Sequence, residues 1–253
     1  MLMISREQAV LRSALRDIPT PEGTSSWSPI SHWELCETVA ERASARGLRI
    51  KSEKYSLADG TLYPRPGVQV ALRGARFYGS IDFEPIKGLV FPPDCTPSCG
   101  LVNSNDKSRS LSIISGGHVI VCGNGLMIGE FQVHRRHTSG IDLRQAVDVA
   151  LGEFLNSLTE FQSTYDRLRN WKLRKDTAQS LICDFARAGA FASSDIIPIL
   201  EEYDKPSYAD AQFNERTAWA AFNACTSIMK SQRPSRQIVG FKAMNSVLLP
   251  HLN

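Results

Sequence analysis

Hydrophobic positions change their spacing twice along the chain, which separates a helical start, a strand-rich middle and a helical end. Leu35, Val39 and Ala43 recur at helical spacing. Ser31 is placed to cap this helix, with a glutamate three residues later, and Gly47 is placed to end it. The preceding residues, 18–30, are rich in Pro, Ser, Thr and Gly, so we expect an extended loop there.

The middle of the chain has short runs of β-branched and aromatic residues that are separated by turn residues. These runs predict strands over 48–56, 68–72, 77–83, 88–91, 111–114, 118–122 and 126–133. Most connections between them are short, which favours neighbouring antiparallel strands. The pattern therefore predicts a meandering antiparallel sheet.

Apolar positions return to helical spacing from residue 141 onward. A long helix is expected from there through Lys175, followed by helices over 177–190, over 194–203 with a break at Pro198, and over 209–230. The predicted fold is α+β: an antiparallel meandering sheet with an N-terminal helix, a long following helix and a C-terminal helical region. We expect an extended N-terminal arm over 1–30, a sheet domain over 31–165, and a helical region over 166–253 packed on it.

Composition describes an ordinary globular protein and excludes a fibrous or wholly disordered chain. The 253 residues are 42% hydrophobic and carry a net charge of +3. The first residues do not form a signal peptide, and no window approaches the ~18 apolar residues of a membrane helix. We therefore expect a cytoplasmic protein with no membrane partner, no cofactor and free cysteines.

Positive charge is concentrated in two parts of the sequence. Residues 167–175 contain five cations in nine positions, and no acid follows Glu215. The acid-free segment nevertheless holds five basic residues: Arg216, Lys230, Arg233, Arg236 and Lys242. Such clusters are typical either of a solvated helix face or of a surface that binds phosphate groups.

Five short motifs follow one another in a recognisable order. They are FYG at 77–79, NSNDKS at 103–108, VCGN at 121–124, RRHT at 135–138 and WAAFNACT at 219–226. Across residues 31–230 the chain resembles the phage/plasmid-related family of unknown function that includes the YfjQ- and YafZ-like prophage proteins. Tyr78, Gly125 and Leu126 depart from that pattern. The resemblance implies a role in DNA transactions or in countering a host defence, and it implies no particular activity.

The cations supply the candidate nucleic-acid contacts. Arginine and lysine neutralise phosphates, and an aromatic ring among them can stack on a base. The cations of 230–242 are a further candidate surface. The residues predicted to bind nucleic acid are Arg135, Arg136, His137, Arg167, Arg169, Trp171, Lys172, Arg174 and Lys175.

An enzyme is the less favoured hypothesis, because the sequence lacks the GxxxxGK[ST], HExxH and GxSxG motifs. Its candidate residues are Asn103, Asp106, Cys122 and His137, which would have to converge in one cleft. The simpler interpretation of 103–108 is a polar hairpin turn, and Cys122 fits a buried thiol on a strand. We predict no catalytic residue.

Cys95 and Cys99, followed by His118 and Cys122, have a spacing that resembles a zinc site. The second pair would lie about 13 Å apart along one strand, at a rise of ~3.3 Å per residue. That separation is too long for one metal ion, so no metal site is predicted.

The sequence thus favours a non-enzymatic protein of a phage, prophage or plasmid that binds or anneals single-stranded DNA. An inhibitor that binds a host defence complex is the alternative, and an exposed apolar patch around Trp27 or Trp33 would support it. A homo-oligomer is compatible with either function.

Overall fold

The computed structural model describes residues 2–4, 9–119, 125–126, 132–138, 141–208 and 215–252. Over these residues it has the predicted α+β fold, with an antiparallel sheet between an N-terminal helix and a C-terminal set of helices. None of the described helices is both long and apolar enough to span a bilayer.

The first helix, α1, spans His32–Ala45. It begins where predicted, because the Ser31 hydroxyl accepts a hydrogen bond from the Glu34 amide at 3.4 Å. It ends before Gly47, whose φ of +73° lies in the left-handed region that glycine adopts easily. The three predicted core positions of this helix are all buried. A short 3-10 helix, Arg12–Asp17, precedes it within the segment that was expected to be extended.

The sheet is antiparallel throughout its described pairings. The strands lie in chain order from the first to the fifth, and the sixth pairs with the fourth, which confirms the meandering arrangement. Their bounds are Ile50–Arg65 (β1), Val68–Phe83 (β2), Cys95–Ser104 (β3), Leu111–Val119 (β4), Gly125–Leu126 (β5) and Gln132–Arg135 (β6).

Several strand bounds differ from the prediction. Residues 88–91 form no strand, whereas β3 was not expected. The runs at 68–72 and 77–83 belong to one strand, because Gly74 with φ +63° allows β2 to continue through a shift in its register with β1. The runs at 111–114 and 118–122 likewise meet in β4, and residues 120–122 lie outside the described part.

Within the described residues, five longer helices follow the sheet. They are Leu143–Asn170 (α2), Lys175–Arg187 (α3), Ile196–Asp204 (α4), Ala218–Met229 (α5) and Pro234–Leu252 (α6). The prediction that α2 continues through Lys175 is wrong, because the Leu173 amide instead donates to the carbonyl oxygen of Arg216 at 2.8 Å. Pro198 does not break α4, since it lies in the first turn, where a missing amide hydrogen is tolerated. The helix predicted over 209–230 begins at Ala218, capped by Thr217; residues 209–214 lie outside the described part.

Buried side chains form one cluster on each face of the sheet. On one face, Phe77 and Leu101 pack with α1 and with the first half of α2. On the other, Tyr78 and Val102 belong to a cluster that contains α5 and α6. Because α2 contributes to both clusters, it joins the sheet to the C-terminal helices. The helix also crosses the boundary between residues 165 and 166 at which the sequence analysis divides the chain into two regions. That division stays a prediction.

Candidate nucleic-acid interface

The loop between β3 and β4, residues 105–110, is held by buried polar groups. The backbone amide of Asn105 donates a hydrogen bond to the carbonyl oxygen of Ala75 at 2.7 Å. The hydroxyl of Ser104, which is fully buried, accepts from the Arg109 amide at 2.9 Å and donates to the carbonyl oxygen of the same residue at 2.9 Å. The polar hairpin turn expected here is therefore present, and its backbone is fixed at both ends.

Asp106 organises the inside of this loop. Its carboxylate accepts a hydrogen bond from Nε of Arg76 at 2.7 Å and from the Ser108 amide at 3.0 Å. Burial alone would raise the pKa of Asp106, but these hydrogen bonds and the guanidinium charge outweigh it and hold the pKa below its ordinary value. The carboxylate thus acts as a charged scaffold for the loop.

Lys107 occupies an unusual backbone conformation at the tip of the loop. Its φ is +63°, in the left-handed region that non-glycine residues rarely adopt. Its ammonium group lies over the ring of Trp27, with Nζ 4.7 Å from the ring centroid. Trp27 is itself held in a tight turn, where its carbonyl oxygen accepts from the Thr24 amide at 2.7 Å.

His137 lies beside this loop, after the last strand. Its carbonyl oxygen accepts a hydrogen bond from the Ser28 amide at 3.0 Å, which ties the two segments together. Its side chain is only 5% exposed, and neither ring nitrogen has a hydrogen-bond partner among the described residues. Leaving a buried polar group unpaired costs about 1–3 kcal/mol. Burial lowers the pKa of His137, which favours a neutral ring, although the Ser28 backbone opposes this shift in part.

Two cavities adjoin each other across the loop. The first, the Trp27 pocket, has a volume of about 480 Å³ and is lined by residues 26–27, 107–110 and 136–138. The second, the Lys242 pocket, has a volume of about 220 Å³ and is lined by Lys242 and apolar side chains of β3, β4 and α6. Residues 108–110 line both cavities. We call the two pockets together the basic groove.

The cations of the basic groove are not neutralised by neighbouring carboxylates. Lys107, Arg109, Arg136 and Lys242 are exposed, and none of the four forms an ion pair within the described part of the chain. Among the residues that the structure describes, no aspartate or glutamate lines either pocket. Four positive charges therefore face one concave surface without internal compensation, which is the arrangement that attracts polyanions.

The predicted helical segment 167–175 is different, because most of its cations are paired. Lys172 contacts Glu215 at 2.9 Å, Arg174 contacts Asp176 at 3.2 Å, and Lys175 contacts Asp204 at 3.3 Å. In addition, Arg169 donates to the hydroxyl of Tyr165, and Trp171 packs against the ring of His251. Arg167 is exposed. These exposed ion pairs are weak, but they reduce the positive potential of this surface.

A depression between α1 and the start of α2 provides a comparison. It contains three arginines, yet three carboxylates also line it. Arg42 and Arg46 both pair with Asp148, and Arg144 pairs with Glu41. Among these three surfaces, only the basic groove presents several cations that form no ion pair within the described residues, since the nearby Asp106 carboxylate pairs with Arg76 instead.

The three enzyme candidates that the structure describes do not form the catalytic arrangement of the hypothesis. Asn103 is buried and bonds to His32, Asp106 bonds to Arg76, and His137 lacks the close partner that the hypothesis required. Cys122 lies outside the described part. The side chains of Arg135 and of the neighbouring His134 are likewise not described, although both residues lie on β6.

Cys95 and Cys99 are buried on β3, four positions apart on one strand. Burial raises the pKa of the Cys99 thiol, which disfavours the thiolate that binds metal. The described residues contain no group of three side chains suited to hold a metal ion.

Trp27 and Trp33 do not form the exposed aromatic patch that would have favoured a surface that binds a host protein. Trp27 is only 8% exposed. Trp33 is half-buried, and the guanidinium of Arg16 lies 4.0 Å from its ring centroid.

One polar cluster was not singled out by the sequence. Asp82 on β2 contacts Nδ1 of His118 at 2.6 Å and accepts hydrogen bonds from Ser98 and Ser52. Burial alone would raise the pKa of Asp82, but its bond to the His118 ring and the two hydroxyls lower it to about 2. Nε2 of His118 lies 3.1 Å from the carbonyl oxygen of Leu2, so the cluster holds the N-terminal residues against the sheet. No spacing in the sequence brings these four side chains together.

The chain matches the family model of DUF932, a domain of unknown function, over residues 94–248. That match covers more than half of the chain. The protein belongs to the DUF932 family. The matched segment contains β3, the β3–β4 loop, His137 and Lys242, whereas Trp27 precedes it. The function of the DUF932 family is unknown, as is that of the family that the five motifs resemble. Neither a curated protein nor a solved structure matches the chain.

Proposed function

We propose that this DUF932 protein belongs to a phage, prophage or plasmid and binds single-stranded DNA without catalysing a reaction. The connection to mobile elements rests on the five ordered motifs in the sequence. The DNA-binding activity is supported by the structure of the basic groove.

The observation that carries the proposal is that four cations of the basic groove form no ion pair within the described residues. Lys107, Arg109, Arg136 and Lys242 come from the β3–β4 loop, from the residue after β6 and from α6. Each of these segments has a fixed backbone, so the positive charges are held on one concave surface. Placing them together is unfavourable in the free protein, and a polyanion relieves that repulsion.

The form of the groove favours a single strand over a duplex. Its cavities have the volume of one or a few nucleotide groups, and bases that are paired and stacked in a duplex cannot enter them. The Lys242 pocket also has an apolar side, formed in part by Ile114 and Ile238, against which the face of an unstacked base can pack.

The segment 167–175, which joins the end of α2 to the start of α3, is retained as a secondary contact. Arg167 is exposed and carries no ion pair in the described part of the chain. The cations of Lys172 and Arg174 can exchange their carboxylate partners for phosphates, but only at the cost of those ion pairs. We therefore expect this segment to contribute less than the groove.

The test is fluorescence anisotropy of the full chain with labelled single- and double-stranded DNA over a range of salt concentrations. Each phosphate contact adds about 0.7 to the slope of log affinity against log salt for a single strand. The double variant Arg109→Gln/Lys242→Gln should therefore reduce this slope by about 1.4. The matched control, Lys172→Gln/Arg174→Gln, removes the same formal charge from paired cations and should change the slope less.

Two outcomes would contradict the proposal in different ways. No salt-sensitive binding to any DNA would overturn the DNA-binding function, and a host protein partner would then be sought by pull-down. Loss of binding in Lys172→Gln/Arg174→Gln but not in Arg109→Gln/Lys242→Gln would move the interface to 167–175. If binding is found, mixing complementary strands with the protein tests whether it also accelerates their annealing.

A further inference from the structure

The Trp27 pocket contains more positive charge than one phosphodiester needs. Lys107, Arg109 and Arg136 all line it, together with serine and threonine hydroxyls. A phosphodiester carries one negative charge, whereas a terminal phosphate monoester carries about 1.5 to 2 at neutral pH. The concentration of donors and cations in one cavity therefore suits a phosphate monoester better than an internal phosphate.

His137 provides the second, independent observation. It lines the same pocket, is 5% exposed, and makes no hydrogen bond of good geometry through either ring nitrogen within the described residues, although the Ser28 backbone lies near enough to the ring to raise its pKa in part. A neutral imidazole offers one N–H donor, and a phosphate oxygen is an acceptor that would satisfy it. A buried imidazole donor beside three cations that form no ion pair within the described residues is an arrangement that an anionic ligand would complete.

The pocket is also prearranged for such a ligand. The loop that carries Lys107 and Arg109 is fixed through Ser104 and Asp106, and the Ser28 amide fixes the backbone of His137. Groups that are already ordered lose little conformational freedom when a ligand binds.

We propose that the Trp27 pocket binds a phosphate monoester, and that its source is the phosphorylated end of a DNA strand. This inference rests on the proposed function, since it assigns the strand end to one part of the basic groove. A free nucleoside monophosphate offers the same chemistry, so the experiment must separate the two sources.

The first experiment compares short single strands of identical sequence that end in a hydroxyl or a phosphate, at the 5′ end in one set and at the 3′ end in another. Anisotropy with the full chain should show about tenfold tighter binding for one of the phosphorylated ends, the effect of one further charge-assisted contact. Arg136→Gln should weaken both strands and bring the ratio of the two affinities from about ten down to about one, because it removes the cation that contacts the additional charge. Lys242→Gln is the control, because Lys242 lines only the neighbouring pocket and should weaken both strands equally.

The second experiment follows the imidazole signals of His137 by NMR, assigned with His137→Gln, while deoxycytidine or deoxycytidine 5′-monophosphate is added. Movement with the monophosphate but not with the nucleoside supports the phosphate site. If strands bind equally with and without a terminal phosphate and the His137 signals do not move, this inference fails although the proposed function stands. If the monophosphate binds but no DNA strand does, the phosphate site stands, the strand end is excluded as its source, and the proposed function fails.

Discussion

The side-chain amide of Asn103 donates a hydrogen bond to Nδ1 of His32 at 2.9 Å. Nε2 of the same ring lies 3.0 Å from the carbonyl oxygen of Gly74, so the neutral ring carries its proton on Nε2. The Asn103 amide also donates to the carbonyl oxygen of Ile30 at 2.8 Å. The buried pair of Asn103 and His32 therefore joins the start of α1 to β2 and β3, next to the β3–β4 loop.

Acid should destabilise the protein through this ring. Burial is the main reason why the pKa of His32 falls to about 4, from an ordinary value near 6.5. The stability that depends on the neutral ring is thus complete above about pH 6.5 and is lost as the pH falls towards 4, by about 3 kcal/mol in total. Urea unfolding from about pH 7.5 to about pH 4.5 measures this loss.

His137 is the comparison for that measurement, because burial lowers its pKa in the same direction and its charge also contributes to lowering the pKa of His32. His32→Gln should flatten the pH dependence more than His137→Gln does, since the His32 ring is more deeply buried. The buried carboxylates titrate below this range, so they do not obscure the comparison. An unchanged pH dependence in His32→Gln would show that the ring does not govern acid stability.

Asp106 should support DNA binding although its charge opposes it. Asp106→Asn removes a negative charge close to the basic groove, which by electrostatics alone would tighten binding. The variant also weakens the bonds to Arg76 and Ser108 that hold the loop, at a cost of about 2 kcal/mol. We expect the structural effect to dominate, so that both the free energy of unfolding and the affinity for single-stranded DNA decrease.

The control for Asp106 is Asp176→Asn, which removes an exposed carboxylate that pairs with Arg174. It should change the free energy of unfolding by less than about 0.5 kcal/mol, as is usual for an exposed ion pair. Tighter DNA binding by Asp106→Asn would mean that the loop does not need this carboxylate as a scaffold.

Local signals in the sequence were sufficient for α1 but not for β3. Ser31, Glu34 and Gly47 define the ends of α1 by contacts within a few residues, so the sequence predicts that helix directly. Strand β3 contains proline, glycine, cysteine and serine, which have low or indifferent strand propensity, yet every one of its residues is buried. Its extended form depends on pairing with β2 and β4 on both sides, which only the tertiary fold supplies.

The candidate site was also predictable only where its signals are local in the sequence. The motif at 103–108 and the pair Arg136 and His137 were recognised as polar segments, and the structure brings them to one pocket. The neutralisation of 167–175 was not predictable, because its partners Asp204 and Glu215 are distant in sequence. The importance of Trp27 was also hidden, since nothing near it in the sequence indicates a contact with Lys107.

Two helical glycines should respond to alanine with opposite signs. A Cβ at Gly240 on α6 would lie 2.7 Å from the carbonyl oxygen of Ala190 and 2.5 Å from the Met229 side chain. Gly240→Ala should therefore destabilise the protein by about 1–3 kcal/mol. A Cβ at Gly152 on α2 would meet no atom within 4 Å, so Gly152→Ala should stabilise it by up to about 1 kcal/mol. Thermal and urea unfolding of both variants measure the change in the free energy of unfolding. The same change in both variants would contradict the close packing of α6 at Gly240.

Gln237 should be essential for holding the N-terminal residues. It is fully buried on α6; its Oε1 accepts from the Met3 amide at 2.8 Å, and its Nε2 donates to the Met3 carbonyl oxygen at 2.8 Å. Gln237→Leu keeps the volume but leaves both backbone groups unpaired, which should cost at least about 2 kcal/mol. The Met3 amide should also exchange its hydrogen faster. The control is Gln179→Leu, a change at an exposed position of α3, which should leave the free energy of unfolding and the exchange rate of the Met3 amide unaltered. If Gln237→Leu has as little effect as this control, the two hydrogen bonds to Met3 do not hold the N-terminal residues.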